Sequence, residues 1–122
     1  MPGSASAIDL LPAGLARTPE PPYYAVIFSS ILKRDDPAYH RMSRRMAELV
    51  DRQPGFLGWE SAREAGGVGI TVSYWESLEA IAAWKAQMEH QAAQKLGREL
   101  WYAGYAIRIA RVERASGFLP ER

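Results

Sequence analysis

The 122-residue chain contains no cysteine. That removes disulfides, thiolate nucleophiles and cysteine-type zinc sites together, and it fits a reducing cytosol while remaining compatible with export. No apolar run approaches the ~20 residues that a bilayer span needs, so a membrane-embedded role is not expected. Net charge is nearly absent as well. Fifteen Lys and Arg stand against fourteen Asp and Glu, for +1 overall, and the two signs are interleaved, which argues against a nucleic-acid partner. The cluster Arg41, Arg44, Arg45 reads as a solvated helix face. Histidine is limited to His40 and His90. No nucleophile triad, paired carboxylates, metal cluster or phosphate loop stands out, and no internal repeat is visible.

What is present is an ordinary globular composition, with 48% apolar and 24% charged residues, in a length suited to one domain that buries roughly two thirds of its unfolded surface. Residues 1–22 are rich in Pro, Gly, Ala and Ser and lack the basic start and apolar core of a secretory signal. They read as a flexible tail before a domain over 23–114, with a second short tail over 115–122.

Tyr23 to Ile31 is aromatic and β-branched and predicts a first strand. Asp35 or Asp36 can cap a following helix with Pro37 in its first turn, and Tyr39, Met42, Met46 and Leu49 or Val50 recur at helical spacing. Gln53-Pro54-Gly55 ends that helix. Phe56 to Arg63 and Val68 to Trp75 predict a hairpin closed at Gly66-Gly67. Ser77 is placed to cap a second helix with Glu79 in its first turn and an apolar stripe of Ile81, Trp84 and Met88. A kink or restart is expected near Glu89-His90 and a stop at Gly97. Tyr105 to Glu113 alternates cleanly as a last strand.

The order β-α-β-β-α-β predicts an α+β, ferredoxin-like fold: a four-stranded antiparallel sheet with both helices on one face. The other face would leave a large apolar patch, so a homodimer in which two sheets meet is expected.

The Gln53-Pro54-Gly55-Phe56-Leu57-Gly58 turn, the Tyr74-Trp75-Glu76-Ser77 strand exit and the Trp84…Glu89-His90 helix, in this order of elements from about Tyr23 to Glu113, resemble the antibiotic biosynthesis monooxygenase superfamily, and in particular its uncharacterised bacterial members. The resemblance implies a dimeric α+β barrel with a pocket between sheet and helices. It also implies oxygenase chemistry on a small aromatic or quinol-like metabolite. A substrate deprotonated there can itself donate an electron to oxygen, so no flavin, metal or other cofactor is required. The protein supplies a base, a dry cavity and oriented hydrogen bonds.

Within that frame His90 is the candidate catalytic acid or base, since its ordinary pKa is near neutral, with a structural histidine as the alternative. Trp75 and Trp84 can wall an aromatic ligand or simply fill the core, and Met88 lies on the same stripe. Tyr39 carries a hydroxyl that can bond a phenolate, as, less favourably, does Tyr74. Trp59 lines the pocket or fills the sheet interface between subunits, Arg98 and His40 read as surface groups, and no residue set reads as a metal site. The haem-degrading branch of the superfamily places an iron-binding histidine ten residues beyond a tryptophan and an asparagine on the first strand. Counting from Trp84 gives Gln94, and the chain has no asparagine. A non-catalytic small-molecule-binding dimer is the main alternative to the enzyme, and haem binding or degradation a weaker one.

Overall fold

The computed structural model describes residues 14–90 and 100–119. Six elements follow one another: β1 (Tyr23–Leu32), α1 (Pro37–Val50), β2 (Phe56–Arg63), β3 (Val68–Trp75), α2 (Leu78–His90) and β4 (Tyr102–Val112). The four strands form one antiparallel sheet in the order β2-β3-β1-β4. This is the ferredoxin-like α+β arrangement that the order of elements predicts. Its one notable departure is β4, which begins at Tyr102 rather than Tyr105.

Local chemistry sets the element ends. Asp36 accepts from the Ala38 N–H at 2.9 Å with Pro37 at the first helical position, so α1 starts with a capped end and no wasted donor. Ser77 does the same for α2, its Oγ accepting from the Ala80 N–H at 3.1 Å. Between α1 and β2, Gly55 has φ +84°, and a Cβ there would come within 2.6 Å of the Ala80 side chain. A glycine is required both for that left-handed turn and for the close approach of the turn to α2.

The strand registers sort side chains into two faces. Pairing runs straight across the sheet in rows: Arg63–Gly69–Ser30–Tyr105, then Ser61–Thr71–Phe28–Ile107, then Trp59–Ser73–Val26–Ile109, and finally Trp75–Tyr24–Arg111. Because residues two apart share a face, all four rows lie on one side. It is the side the helices cover, since fully buried Trp75 packs with Val50 of α1 and Ile81 of α2, joined by Tyr24, Val26, Phe56 and Trp84. Trp59 therefore lies on the helix-facing side, not in the opposite face where a subunit interface is expected.

Two register shifts matter. In β2, Phe56 pairs with Trp75 and Gly58 with Tyr74, so one extra residue puts Phe56 and Trp59 on the same face although they are three apart. In β4, Gly104 pairs with Ile31 and Tyr102 with Leu32, which has the same effect on Tyr102 and Tyr105.

The opposite face carries Ile27, Ile31, Val68, Ile70 and Val72, of which Ile31, Val68 and Ile70 are each nearly half exposed. One corner of it is covered by the segment before β1. The Ala16 N–H donates to Glu60 Oε2 at 2.9 Å, Thr18 Oγ1 donates to the Tyr23 hydroxyl at 2.9 Å, and Tyr74 donates to Glu60 Oε1 at 2.7 Å. No helix among the described residues is long and apolar enough to cross a membrane.

Candidate functional site

The central strand β3 presents Gly69, Thr71 and Ser73 to the helices, with Trp75 at its end. Positions on the helix side of a sheet ordinarily carry large apolar side chains. Here three successive helix-side positions of β3, the floor of the site, are small, and two of them bear hydroxyls. Thr71 and Ser61 are hydrogen-bonded to each other at 2.8 Å, and Ser73 accepts from the Trp75 indole N–H at 2.9 Å.

At the Trp75 end the floor runs into the packed core. Trp75 is fully buried, its ring meeting Phe56 edge-on at 5.3 Å and lying nearly parallel to Trp84 at 6.4 Å. Its N–H is already used on Ser73, so Trp75 presents an apolar back wall with no free donor. Trp84 and Met88, one turn apart on α2, are both half-buried.

At the other end stands an aromatic cluster around Tyr39. Its ring lies 5.7 Å from Trp101 and 5.7 Å from Tyr102, and the Tyr102 hydroxyl donates to the Tyr39 oxygen at 3.5 Å. Tyr102 in turn packs edge-on against Phe28 at 5.5 Å, and Tyr105 lies 5.4 Å from the same ring. Burial above all, then the bond to Tyr39, pushes the Tyr102 phenol well above its ordinary pKa, with the nearby Arg63 charge acting in the opposite sense. Tyr102 therefore stays protonated, a donor and not a base.

The candidate lining residues thus fall in two groups. Trp75 sits across from Tyr24, and Tyr39 adjoins Tyr102, which pairs with Leu32. Those two positions on β1 are about 26 Å apart at ~3.3 Å per residue. The helix side of the sheet connects the groups, with Ser61 and Arg63 exposed at its β2 edge. Two indole N–H groups near it, those of Trp59 and Trp101, are buried with no hydrogen-bond partner among the described residues. Such donors are costly to leave unpaired and mark places where an acceptor is accommodated.

His90 is the last residue of α2. Its side chain lies outside the described residues, as do Gln94, Gly97 and Arg98. His40 is exposed and bonds Asp35 at 2.6 Å, which makes it part of the α1 entry and not of the floor. Among the described residues no group of three or more His, Asp or Glu is placed to hold a metal ion.

Sequence reading overlooked Arg63 and Tyr102. Arg63 crosses the floor in the first row, donating to the Ser30 carbonyl at 3.2 Å and to Ser30 Oγ at 2.5 Å. The available signal was Gly69, a glycine inside a strand, which marks the close approach of another group. Tyr102 was hidden because the bulge that turns it to the helices leaves no mark in the alternation.

The chain matches the family model described as antibiotic biosynthesis monooxygenase over residues 22–96. It is 57% identical over 100 residues to the uncharacterized protein YqjZ of Bacillus subtilis (strain 168), covering 82% of this chain and 88% of that one. Among solved structures it resembles SnoaB, a cofactor-independent oxygenase from Streptomyces nogalater, with a TM-score of 0.64 and 18% identity, over 83% of this chain and 100% of that one. A mutant of the same protein gives 0.63 and 19%, over 81% and 98%. The structural likeness is one of fold, while the family match spans well over half of the sequence. The chain belongs to the antibiotic biosynthesis monooxygenase family.

Proposed function

We propose that this protein is a cofactor-independent monooxygenase acting on a small aromatic or quinol-like metabolite, bound on the helix-covered side of the sheet. The observation that carries the reading is the floor of β3. Thr71 and Ser73 carry short hydroxyl side chains where a purely structural sheet would bury large apolar groups, and Gly69 admits the Arg63 guanidinium onto the strand.

In this reading the substrate lies between the floor and the helices, with Tyr39 and its cluster at one end and Trp75, Trp84 and Met88 at the other. His90 at the end of α2 takes or positions the substrate proton. The ionised substrate then reduces oxygen itself. A C–H and an O–H hydrogen leave as water with one oxygen atom, and the other oxygen atom becomes the new carbonyl, so no outside reductant is consumed. The aromatic walls supply the water-poor setting in which this chemistry is favoured. The half-exposed Ile31, Val68 and Ile70 on the opposite face support a homodimer closed sheet to sheet, and the cytoplasm is the compartment we assign.

Aerobic and anaerobic incubation of the purified, metal-free protein with a panel of dihydroxyaromatics, followed by mass spectrometry, tests the reading. Oxygen incorporation that depends on protein and on air, without added cofactor, is the expected result. Binding of these compounds with no oxygenated product would replace the enzyme with a small-molecule binder.

A further inference from the structure

One cation lies on the floor of the site without a matching carboxylate. Arg63, at the end of β2, reaches across the sheet along its own row. Its guanidinium passes over Gly69 and is fixed on the far side by Ser30, whose carbonyl accepts at 3.2 Å and whose Oγ accepts at 2.5 Å, with a longer bond of 3.4 Å to the Gly67 carbonyl. Ser30 is 2% exposed, so the anchor is rigid, whereas Arg63 itself remains exposed to the approach of a ligand. All three acceptors are neutral. Among the described residues no carboxylate pairs with Arg63.

Gly69 is what allows this placement. A Cβ at residue 69 would sit 2.3 Å from Arg63 Cζ and 2.5 Å from one of its terminal nitrogens. The cation therefore lies flat against the strand at the only side-chain size that permits it. Around it stand rings, with Tyr105 in the same row and Phe28 in the next, both joined to Tyr102. Arg63 is close enough to Tyr102 that its charge opposes the rise of that phenol's pKa. A guanidinium held by neutral acceptors keeps its full charge and, with its planar fork, favours a planar oxyanion. Aromatic edges beside it suit the ring that carries such an oxygen.

We infer that Arg63, seated over Gly69 and anchored on Ser30, is the residue of this site that holds the ionised oxygen of the aromatic ligand. The inference rests on the proposed location of the ligand between sheet and helices and on its ionised form in that reading, and it adds the residue that receives the ionised oxygen. The proton passes to solvent or to the base of the site, and Arg63 stabilises what is left. Arg63 is a binding and positioning residue. It does not itself exchange a proton, since guanidinium stays charged throughout the accessible range.

The test uses para-nitrophenol, whose phenolate has its own absorption band, and para-nitroanisole as the neutral isostere, both without oxygen. In the wild-type protein the phenolate is expected to bind at least ~10-fold more tightly than the ether, the size of a charge-assisted hydrogen bond. The bound phenol should then ionise at lower pH than the free one. Arg63→Met removes the charge, and Gly69→Ala keeps it but pushes it off the strand. Both should abolish the phenolate preference while binding of the ether changes little. Equal binding of phenolate and ether by the wild-type protein overturns the inference, as does an Arg63→Met variant that keeps the preference, and the first result needs no variant to fold. Oxygen uptake is scored separately. Phenolate selectivity lost with Arg63 but no oxygenated product retains the inference and discards the oxygenase. Oxygenation with no phenolate preference does the reverse.

Discussion

Tyr102 and Tyr105 are three residues apart in β4, yet both rings pack on Phe28, at 5.5 and 5.4 Å. In a regular strand an odd offset places side chains on opposite faces. The pairing of Ile31 with Gly104 and of Leu32 with Tyr102 leaves Ala103 as an extra residue, and that residue returns Tyr102 to the helix side. The bulge therefore builds the aromatic end of the site.

Deleting Ala103 should turn Tyr102 to the opposite face and break its contacts with Tyr39 and Phe28. Loss of such a largely buried ring costs about 2–4 kcal/mol. A Tyr102→Ala variant should lose a comparable amount with the bulge intact. Urea unfolding of both variants checks this, and a deletion variant as stable as the wild type would mean that β4 holds its register without the bulge.

Two phenols make stability fall in alkali. Burial first, then the bond to the Glu60 carboxylate, raises the Tyr74 pKa above its ordinary value, and burial first, then Tyr39, raises that of Tyr102. A raised folded-state pKa means that the folded chain holds its proton when the unfolded chain has released it. The stabilisation is complete below the unfolded value of about 10 and is lost as the pH rises above it. Unfolding midpoints measured across that range should fall more steeply for the wild type than for Tyr74→Phe or Tyr102→Phe.

Trp75 is the residue on which the core depends most. It is the one large side chain among the described residues that is fully buried, and its N–H is spent on Ser73. Trp75→Ala should cost ~3–5 kcal/mol. Ser73→Ala should cost less, ~1–3 kcal/mol, because it strands the indole donor in an apolar setting. Trp75→Phe combined with Ser73→Ala should cost less than the two single losses added together, since the partner has gone with the donor. Denaturant titrations of Trp75→Ala, Ser73→Ala, Trp75→Phe and the double variant decide it.

How much of this was legible in the sequence depends on the length scale of the signal. Alternation, caps and turns are local, so the hairpin limits at Phe56, Arg63, Val68 and Trp75 and the cap at Ser77 could be read directly, and the cap of α1 was narrowed to Asp35 or Asp36. The face on which a side chain ends is not local where a bulge intervenes, which is why Trp59 was open to an interface role and Tyr102 was passed over. Arg63 was hidden for another reason. A charged residue at a strand end reads as solvated, and only the pairing of Arg63 with Gly69 and of Gly69 with Ser30 reveals that it lies across the sheet. Gly69 was the sole trace of that contact in the sequence.

The open sheet face makes its own prediction. Ile70 is 46% exposed in the row Ala62–Ile70–Ser29–Ala106, and Ile31 and Val68 beside it are exposed to the same degree. If two copies close over these residues, Ile70→Glu places like charges in an apolar interface and should shift the mass measured by light scattering from dimer to monomer. A wild-type protein that is already monomeric would remove the dimer from the proposed function.

His90→Ala separates chemistry from packing. As the base of the proposed reaction His90 should matter to turnover far more than to folding. General-base contributions of ~10²–10⁴-fold set the expected loss of oxygen consumption, with the thermal midpoint nearly unchanged. The dependence on pH gives the sign. A base must be unprotonated to act, so wild-type turnover should rise with pH from the acid side, and residual turnover in the variant should lose that limb. Arg63 enters the same profile, because an oxyanion held by its charge ionises at lower pH and makes less demand on any base. In Arg63→Met the rise should therefore move to higher pH, toward the ordinary ionisation of the free phenol. A variant lacking His90 that turns over at the wild-type rate would return this residue to a structural role and leave ionisation of the substrate to Arg63 and solvent.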